Sequence, residues 1–194
     1  TDLSDTLFVI WCGGNDFLSL TPDDDVSLVI GAAINNISDA VQALLMVGAE
    51  NILVVNLPDL GAAPLNNGNP ETAAAASMLS STFNDYLKQT MCTYADMFPG
   101  PHFYMVDTFE LVDYAVAHPN KFGFTNVTDM DGLAVDYEGY LFWDAIHPTT
   151  KTHQIVAAAA CGQVKPWGLS RDMRKLQKKL RPLRTTLPFE LECN

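Results

Sequence analysis

Apolar positions along the chain follow two rhythms. Residues 6–12 (TLFVIWC) and 52–57 (ILVVNL) are nearly continuous apolar runs, and 102–108 (HFYMVDT) is a third short strand-like stretch. Such runs predict parallel strands covered on both faces, which have no solvent side to alternate with. Between the first two, Ile30, Ile34, Ile37, Val41, Leu44 and Leu45 recur at steps of three and four, the spacing of one helical face. Asp23, Asp24 and Asp25 suit the positive N-terminal end of that helix, and Gly48 suits its C-terminal cap. A second helix is predicted over residues 70–97, with Asn69 as N-cap, Pro70 in its first position and Pro99-Gly100 closing it. A third follows Pro148 and runs through KTHQIVAAAAC, while residues 119–146 read as a long loop region with aromatic and acidic character.

Strand, helix, strand, helix, strand and a final helix is the order of a doubly wound α/β sheet. Ligands in such folds bind beyond the carboxyl ends of the strands. Two stretches occupy such ends here: Gly13-Gly14-Asn15-Asp16 after the first strand, and NLPDLG (Asn56 to Gly61) after the second.

Composition agrees with a folded domain, at 48% hydrophobic and 18% charged residues in 194. No apolar run approaches the roughly 18 residues expected of a membrane span. The chain lacks an initiator Met and enters a strand almost at once, which reads as a cut end. The net charge of −12 conceals an asymmetry. Residues 169–194 hold seven of the eleven basic residues against Asp172, Glu190 and Glu192, so this tail is basic and the body before it strongly acidic. An acidic body repels phosphates and argues against nucleic acid as a partner. The chain therefore divides into a domain over 1–165 and a basic tail over 166–194. In the tail, Leu169, Met173, Leu176 and Leu180 stand at helical spacing among basic residues. It is read either as a solvated helix on the acidic body or as a basic amphipathic helix contacting a membrane surface or a protein. The four cysteines form no C-x-x-C pair, and Cys12 and Cys161 stand in apolar runs that suit buried free thiols.

Two stretches carry candidate chemistry. In FWDAIHPTT, Asp144 stands three residues before His147. A carboxylate at that distance can accept the imidazole Nδ1–H and leave Nε2 free as a base toward a nucleophile. In GGND, Asn15 offers a side-chain amide at a strand tip, a suitable donor to a developing oxyanion. Gly13, Gly14 and Asp16 would support it, although Gly, Asn and Asp together also spell an ordinary turn.

Taken in order, GGND, NILVVNLPDLG, VDT, FGFTNV and WDAIHPT resemble the SGNH hydrolases, also called GDSL esterases or lipases, across residues 6–160. The resemblance implies a three-layer, flavodoxin-like parallel sheet with helices on both faces. It also implies hydrolysis of carboxylic esters or lipids by a Ser–His–Asp triad without a cofactor. Asn15 would then be the oxyanion donor of the G-x-N-D motif, and Asp144 and His147 the acid and base of the D-x-x-H motif. The family's serine motif, which precedes G-x-N-D, has no counterpart here, nor has its glycine oxyanion donor. The first strand of the fold is accordingly expected to be missing, and the edge of the strand at 6–12 to be unpaired. The alternative to an esterase is an inactive truncated chain or an interaction module. A flavodoxin-like nucleotide binder fits poorly, because no Gly-rich phosphate loop follows any strand.

Other features weigh less. DMDG (Asp129, Asp131, Gly132) hints at a calcium loop but has Leu133 in the next ligand position. His102 and His118 read as surface or strand-end groups. His153 lies too far round a helix from His147 to share a metal. Trp143 is expected to pack rather than touch substrate. Asn36 and Asn126 head glycosylation sequons, the first inside a predicted helix.

Overall fold

The structure is a computed structural model and describes residues 3–21, 23–130, 137–163, 191 and 193. In chain order its elements are β1 (Leu7–Ile10), α1 (Asn15–Leu18), α2 (Val26–Met46), β2 (Asn51–Val55), α3 (Pro64–Asn67), α4 (Pro70–Met97) and β3 (His102–Val106). Then come α5 (Thr108–Ala117), α6 (Pro119–Phe122), β4 (Asn126–Met130), a 3-10 turn (Tyr137–Gly139), β5 (Tyr140–Phe142) and α7 (Thr150–Gln163).

β1, β2 and β3 form a parallel sheet in that order, with Ile52 opposite Phe8 on one side and Phe103 on the other. The even apolarity of β2 follows from what covers it. Ile52 and Val54 enter a core with α2 and α4, including Ile37, Val41, Phe83 and Leu87. Leu53 and Val55 enter a second core on the opposite face with Leu111, Ala115, Ile155 and Ala159 of α5 and α7. Helix, sheet and helix are thus three layers, as the strand pattern predicts. β1 pairs only with β2 among the described strands, and its Val9 is 57% exposed.

The helix ends follow local rules. Asp25 caps α2 by accepting from the backbone N–H of Ser27 (2.9 Å) and Leu28 (3.3 Å), and Asn69 caps α4 through Glu71 and Thr72. α2 is long and apolar enough to suit a membrane span by composition. Its stripe of Ile30, Ala33, Ile34, Ile37 and Val41 nevertheless lies against the sheet, with Asn35, Asn36 and Asp39 outward.

The structure corrects the expected long loop over 119–146, which contains α6, β4, the 3-10 turn and β5, with β4 and β5 paired in parallel. Phe124 and Leu141, 1% and 0% exposed, anchor this segment in the α5–α7 core. The Lys151 ammonium fastens it further by donating to the carbonyls of Gly123 and Glu138. A segment pinned by single buried residues has neither helical nor strand periodicity, so its pattern reads as loop. α5 was also unforeseen, although Asp107 caps it through Glu110 N–H and the pair has the spacing of a capping box.

The cysteines are corrected too. Cys12 is exposed and Cys161 half-buried, not enclosed in apolar surroundings. Cys92 on α4 is joined to Cys193 by a disulfide with 5.4 Å between Cα atoms, and Leu191 beside it packs on the α2–α4 core. The basic tail over 166–190, and with it the predicted amphipathic helix, lies outside the described residues.

Candidate active site

β1 ends where its chain must turn over a fully buried ring. Gly13 has φ of +111°, and a Cβ there would lie 2.7 Å from the ring of Phe83 on α4. Only glycine satisfies both the backbone and the space. Gly14 has an ordinary φ of −62°, and a Cβ on it would meet Leu57 at a normal 3.6 Å. The two glycines therefore differ: the first is required by structure, the second is not. The turn closes through Asp16 N–H to Gly13 C=O and Phe17 N–H to Gly14 C=O, both 3.3 Å. It leaves Asn15 exposed, its side chain without a hydrogen-bond partner among the described residues.

The second stretch is a tight loop between β5 and α7. Trp143 N–H donates to His147 C=O at 2.7 Å, and Thr149, 1% exposed, ties the return to Tyr140 C=O at 2.9 Å. Within this loop Asp144 holds three donors at once. Its Oδ1 accepts the backbone N–H of Ile146 (2.9 Å) and His147 (2.7 Å), and its Oδ2 lies 2.7 Å from His147 Nδ1. Slight burial pushes the Asp144 carboxyl up, but the two backbone N–H groups and the imidazole outweigh it and hold the group below the usual aspartate value. A carboxylate at Nδ1 fixes the neutral ring with its proton on that atom, leaving the Nε2 lone pair for another partner.

These two stretches, far apart in sequence, meet at one cleft of about 460 Å³, a size suited to a small organic ligand. Its lining includes Asn15, with Gly13, Gly14 and Asp16, on one side and His147, with Ile146 and Pro148, on the other. Asp144 stands behind His147 and is not part of the lining. The floor is the loop after β2, through Leu57, Pro58 and Leu60, and Leu18 and Trp11 complete an apolar rim.

Asn84 on α4 grips that floor, its Oδ1 accepting Leu57 N–H and its Nδ2 donating to Leu57 C=O, both at 2.8 Å. Cys12 also faces the cleft; partial burial, and then the charge of Asp16, push its thiol up, away from the reactive thiolate. No serine lines the cleft among the described residues.

Sequence reasoning missed His153 and Trp11 as lining residues. His153 Nδ1 lies 3.1 Å from Thr149 C=O, and its ring meets Trp11 edge-on at 6.2 Å. The signal for His153 was its place in the first turn of the helix that starts just after His147. Trp143, expected to pack, is 43% exposed and lies outside the lining. His102 and His118 are exposed, as expected. Among the described residues no group of three or more His, Cys, Asp or Glu could hold a metal ion. Asp129 is taken by Asn126 at 2.8 Å, and Asp131 and Gly132 lie outside the described residues.

The model of the GDSL-like lipase/acylhydrolase family matches residues 2–160, which include every residue of the cleft. The chain belongs to that family. Among curated proteins it is similar to a thermolabile hemolysin of Vibrio parahaemolyticus, 27% identical over 176 residues, covering 79% of this chain and 40% of the relative. A GDSL esterase/lipase of Arabidopsis thaliana is 24% identical over 182 residues, covering 79% and 49%. A phosphatidylcholine-sterol acyltransferase of Aeromonas hydrophila is 26% identical over 205 residues, covering 80% and 60%. The chain spans about half or less of the length of the first relatives it matches. As a member of that family the chain has the family's α/β architecture.

Proposed function

We propose that this chain supplies the base, the acid and one oxyanion donor of a carboxylic ester hydrolase, with a serine nucleophile contributed from outside these 194 residues. The observation that carries the reading is the convergence of Asn15 and the Asp144–His147 pair on one cleft whose described lining contains no serine. His147 Nε2 takes the proton from the serine hydroxyl as its oxygen bonds to the ester carbonyl carbon, and Asp144 stabilises the imidazolium that forms. The Asn15 amide donates to the oxyanion of the tetrahedral intermediate. Collapse of that intermediate breaks the bond to the alcohol, which receives its proton from His147. Water then repeats the sequence on the acyl-serine.

Leu18, Leu57, Leu60 and Ile146 give the cleft an apolar side suited to an acyl chain. Relatives named for phosphatidylcholine and for lipase activity agree with acyl esters or lipids as the substrate class. The exposed edge of β1 is a fitting place for the strand that would bring the serine. The basic tail could add contact with a membrane surface or a protein.

The serine-free lining also favours a second reading, in which these residues alone bind esters without turning them over. A serine-directed phosphonate and a chromogenic short-chain ester separate the two. The 194-residue chain is expected to resist labelling. A longer protein containing it is expected to label on a serine outside it and to lose turnover by orders of magnitude on His147→Ala. Normal turnover in that variant would remove His147 from the chemistry, and a longer protein that neither labels nor turns over would leave only the binding reading.

A further inference from the structure

We propose that His153 reads the substrate in this cleft: its Nε2 accepts a hydrogen bond from a hydroxyl on the alcohol half of the ester. Partial esters of polyhydric alcohols are thereby favoured over plain alkyl esters. The choice of the alcohol half rests on the ester hydrolase proposed for this cleft; the acceptor itself does not.

His153 is the fourth residue of α7, the helix that begins just after His147, and it lines the same cleft as His147 and Asn15. Its ring is held on two sides. Nδ1 lies 3.1 Å from the Thr149 carbonyl oxygen, and because a carbonyl oxygen only accepts, Nδ1 carries the proton. Trp11, just past β1, meets the ring at 6.2 Å between centroids with 66° between the planes, an edge-to-face contact. In the neutral ring Nε2 then holds the lone pair. The two nitrogens diverge across the five-membered ring, so with Nδ1 turned to its own helix backbone, Nε2 is turned away from it. Nε2 has no hydrogen-bond partner among the described residues.

The chemistry of the lone pair narrows what it can meet. An ester group offers only acceptors and an alkyl chain offers neither donor nor acceptor, so a substrate satisfies Nε2 only with an N–H or O–H of its own. Leu18, Leu57, Leu60 and Ile146 supply no polar side-chain atom to the cleft. Asn15 faces the oxyanion and His147 the reacting proton, which leaves His153 for recognition. Asp16 is a further acceptor in the lining, but it stands beside Asn15 on the other lip. His147 returns its proton to the leaving alcohol, so the alcohol half lies at the His147 lip. α7 continues from that lip, which sets His153 beside the alcohol rather than the acyl chain.

Two ligands with one acyl group and a three-carbon alcohol test this: 1-monobutyrin, which carries free hydroxyls, and propyl butyrate, which carries none. Their affinities for the 194-residue protein are measured by NMR titration, with nitrogen-15 in the histidine rings. His153→Phe keeps a ring against Trp11 and removes both nitrogens. In that variant the ratio of the two affinities should move against 1-monobutyrin by about three- to tenfold, the worth of one hydrogen bond. An unchanged ratio, or equal weakening of both ligands, overturns the proposal, since a residue that only packs would act on both alike. If the variant does not fold, the unaltered protein decides: the His153 Nε2 resonance should respond to 1-monobutyrin and not to propyl butyrate. The same response to both, or to neither, overturns it. In a longer, serine-bearing protein the ratio of kcat/KM values should shift by the same factor. Binding without turnover there would remove the hydrolase reading, while the affinity ratio still judges His153.

Discussion

The two lips of the cleft are held by opposite means. The Gly13–Asp16 lip rests on packing, with its turn pressed against the buried ring of Phe83, a residue of another layer. The Asp144–His147 lip rests on local hydrogen bonds: one carboxylate gathers two N–H groups and an imidazole within four residues, with the Asp144 and His147 side chains 43% and 64% exposed. A packed lip tolerates changes of charge and fails on a methyl group. A hydrogen-bonded lip tolerates changes of volume and fails on the loss of an acceptor. The GDSL cleft thus joins a packed turn carrying Asn15 to an imidazole whose orientation depends on one carboxylate.

The largest effect should come from breaking the packed lip. Gly13→Val adds a β-branched side chain where φ is +111° and the Phe83 ring is 2.7 Å from the new Cβ. Strained backbone and overpacking together should cost about 2–5 kcal/mol of unfolding free energy, read by denaturant titration. Adding Phe83→Ala makes room but leaves the φ strain, so the double variant should lose less than the sum of the singles. Strict additivity would show that Phe83 does not hold this lip.

The floor between the lips sharpens the contrast because it uses both means. Asn84 is 9% exposed and satisfies both backbone groups of Leu57. Asn84→Ala leaves a buried N–H and C=O unpartnered and should destabilise by about 1–3 kcal/mol in the same titration. Asn84→Asp keeps the acceptor for Leu57 N–H but sets an oxygen against Leu57 C=O, so it should not rescue stability. Recovery in the aspartate variant would mean that only the accepting half of the bracket matters.

The contrast also explains what the sequence made legible. The Asp144–His147 lip is local, so its D-x-x-H spacing alone indicates that a carboxylate can reach Nδ1. The three strands and the helices α2 and α4 were visible for the same reason, since their periodicity is a property of contiguous residues. The floor is different: nothing in NLPDLG announces that Asn84, on a helix beginning nine residues after Gly61, will clasp Leu57. Gly13 was read as flexible support for Asn15, whereas its need arises from Phe83, whose approach no local pattern encodes. The same blindness to nonlocal contact hid α6, β4 and β5 and the link between Cys92 and Cys193.

The smallest effect, and the most discriminating, concerns charge on the second lip. Because the native state holds the Asp144 carboxyl below its ordinary value, the stabilisation it provides is present above about pH 3.8 and is lost as pH falls further. Asp144→Asn keeps an oxygen that can accept from Ile146 and His147 N–H but removes the charge facing Nδ1. For so exposed a pair the stability difference should stay within about 1 kcal/mol, or roughly 2–4 °C in the unfolding midpoint at pH 6. That gap should close as the pH is taken well below 3.8, where the native carboxylate gains its own proton. A gap that persists unchanged at low pH would show that Asp144 acts through shape rather than charge. The two lips would then be alike, and the assignment of Asp144 as the acid that orients His147 would lose its electrostatic basis.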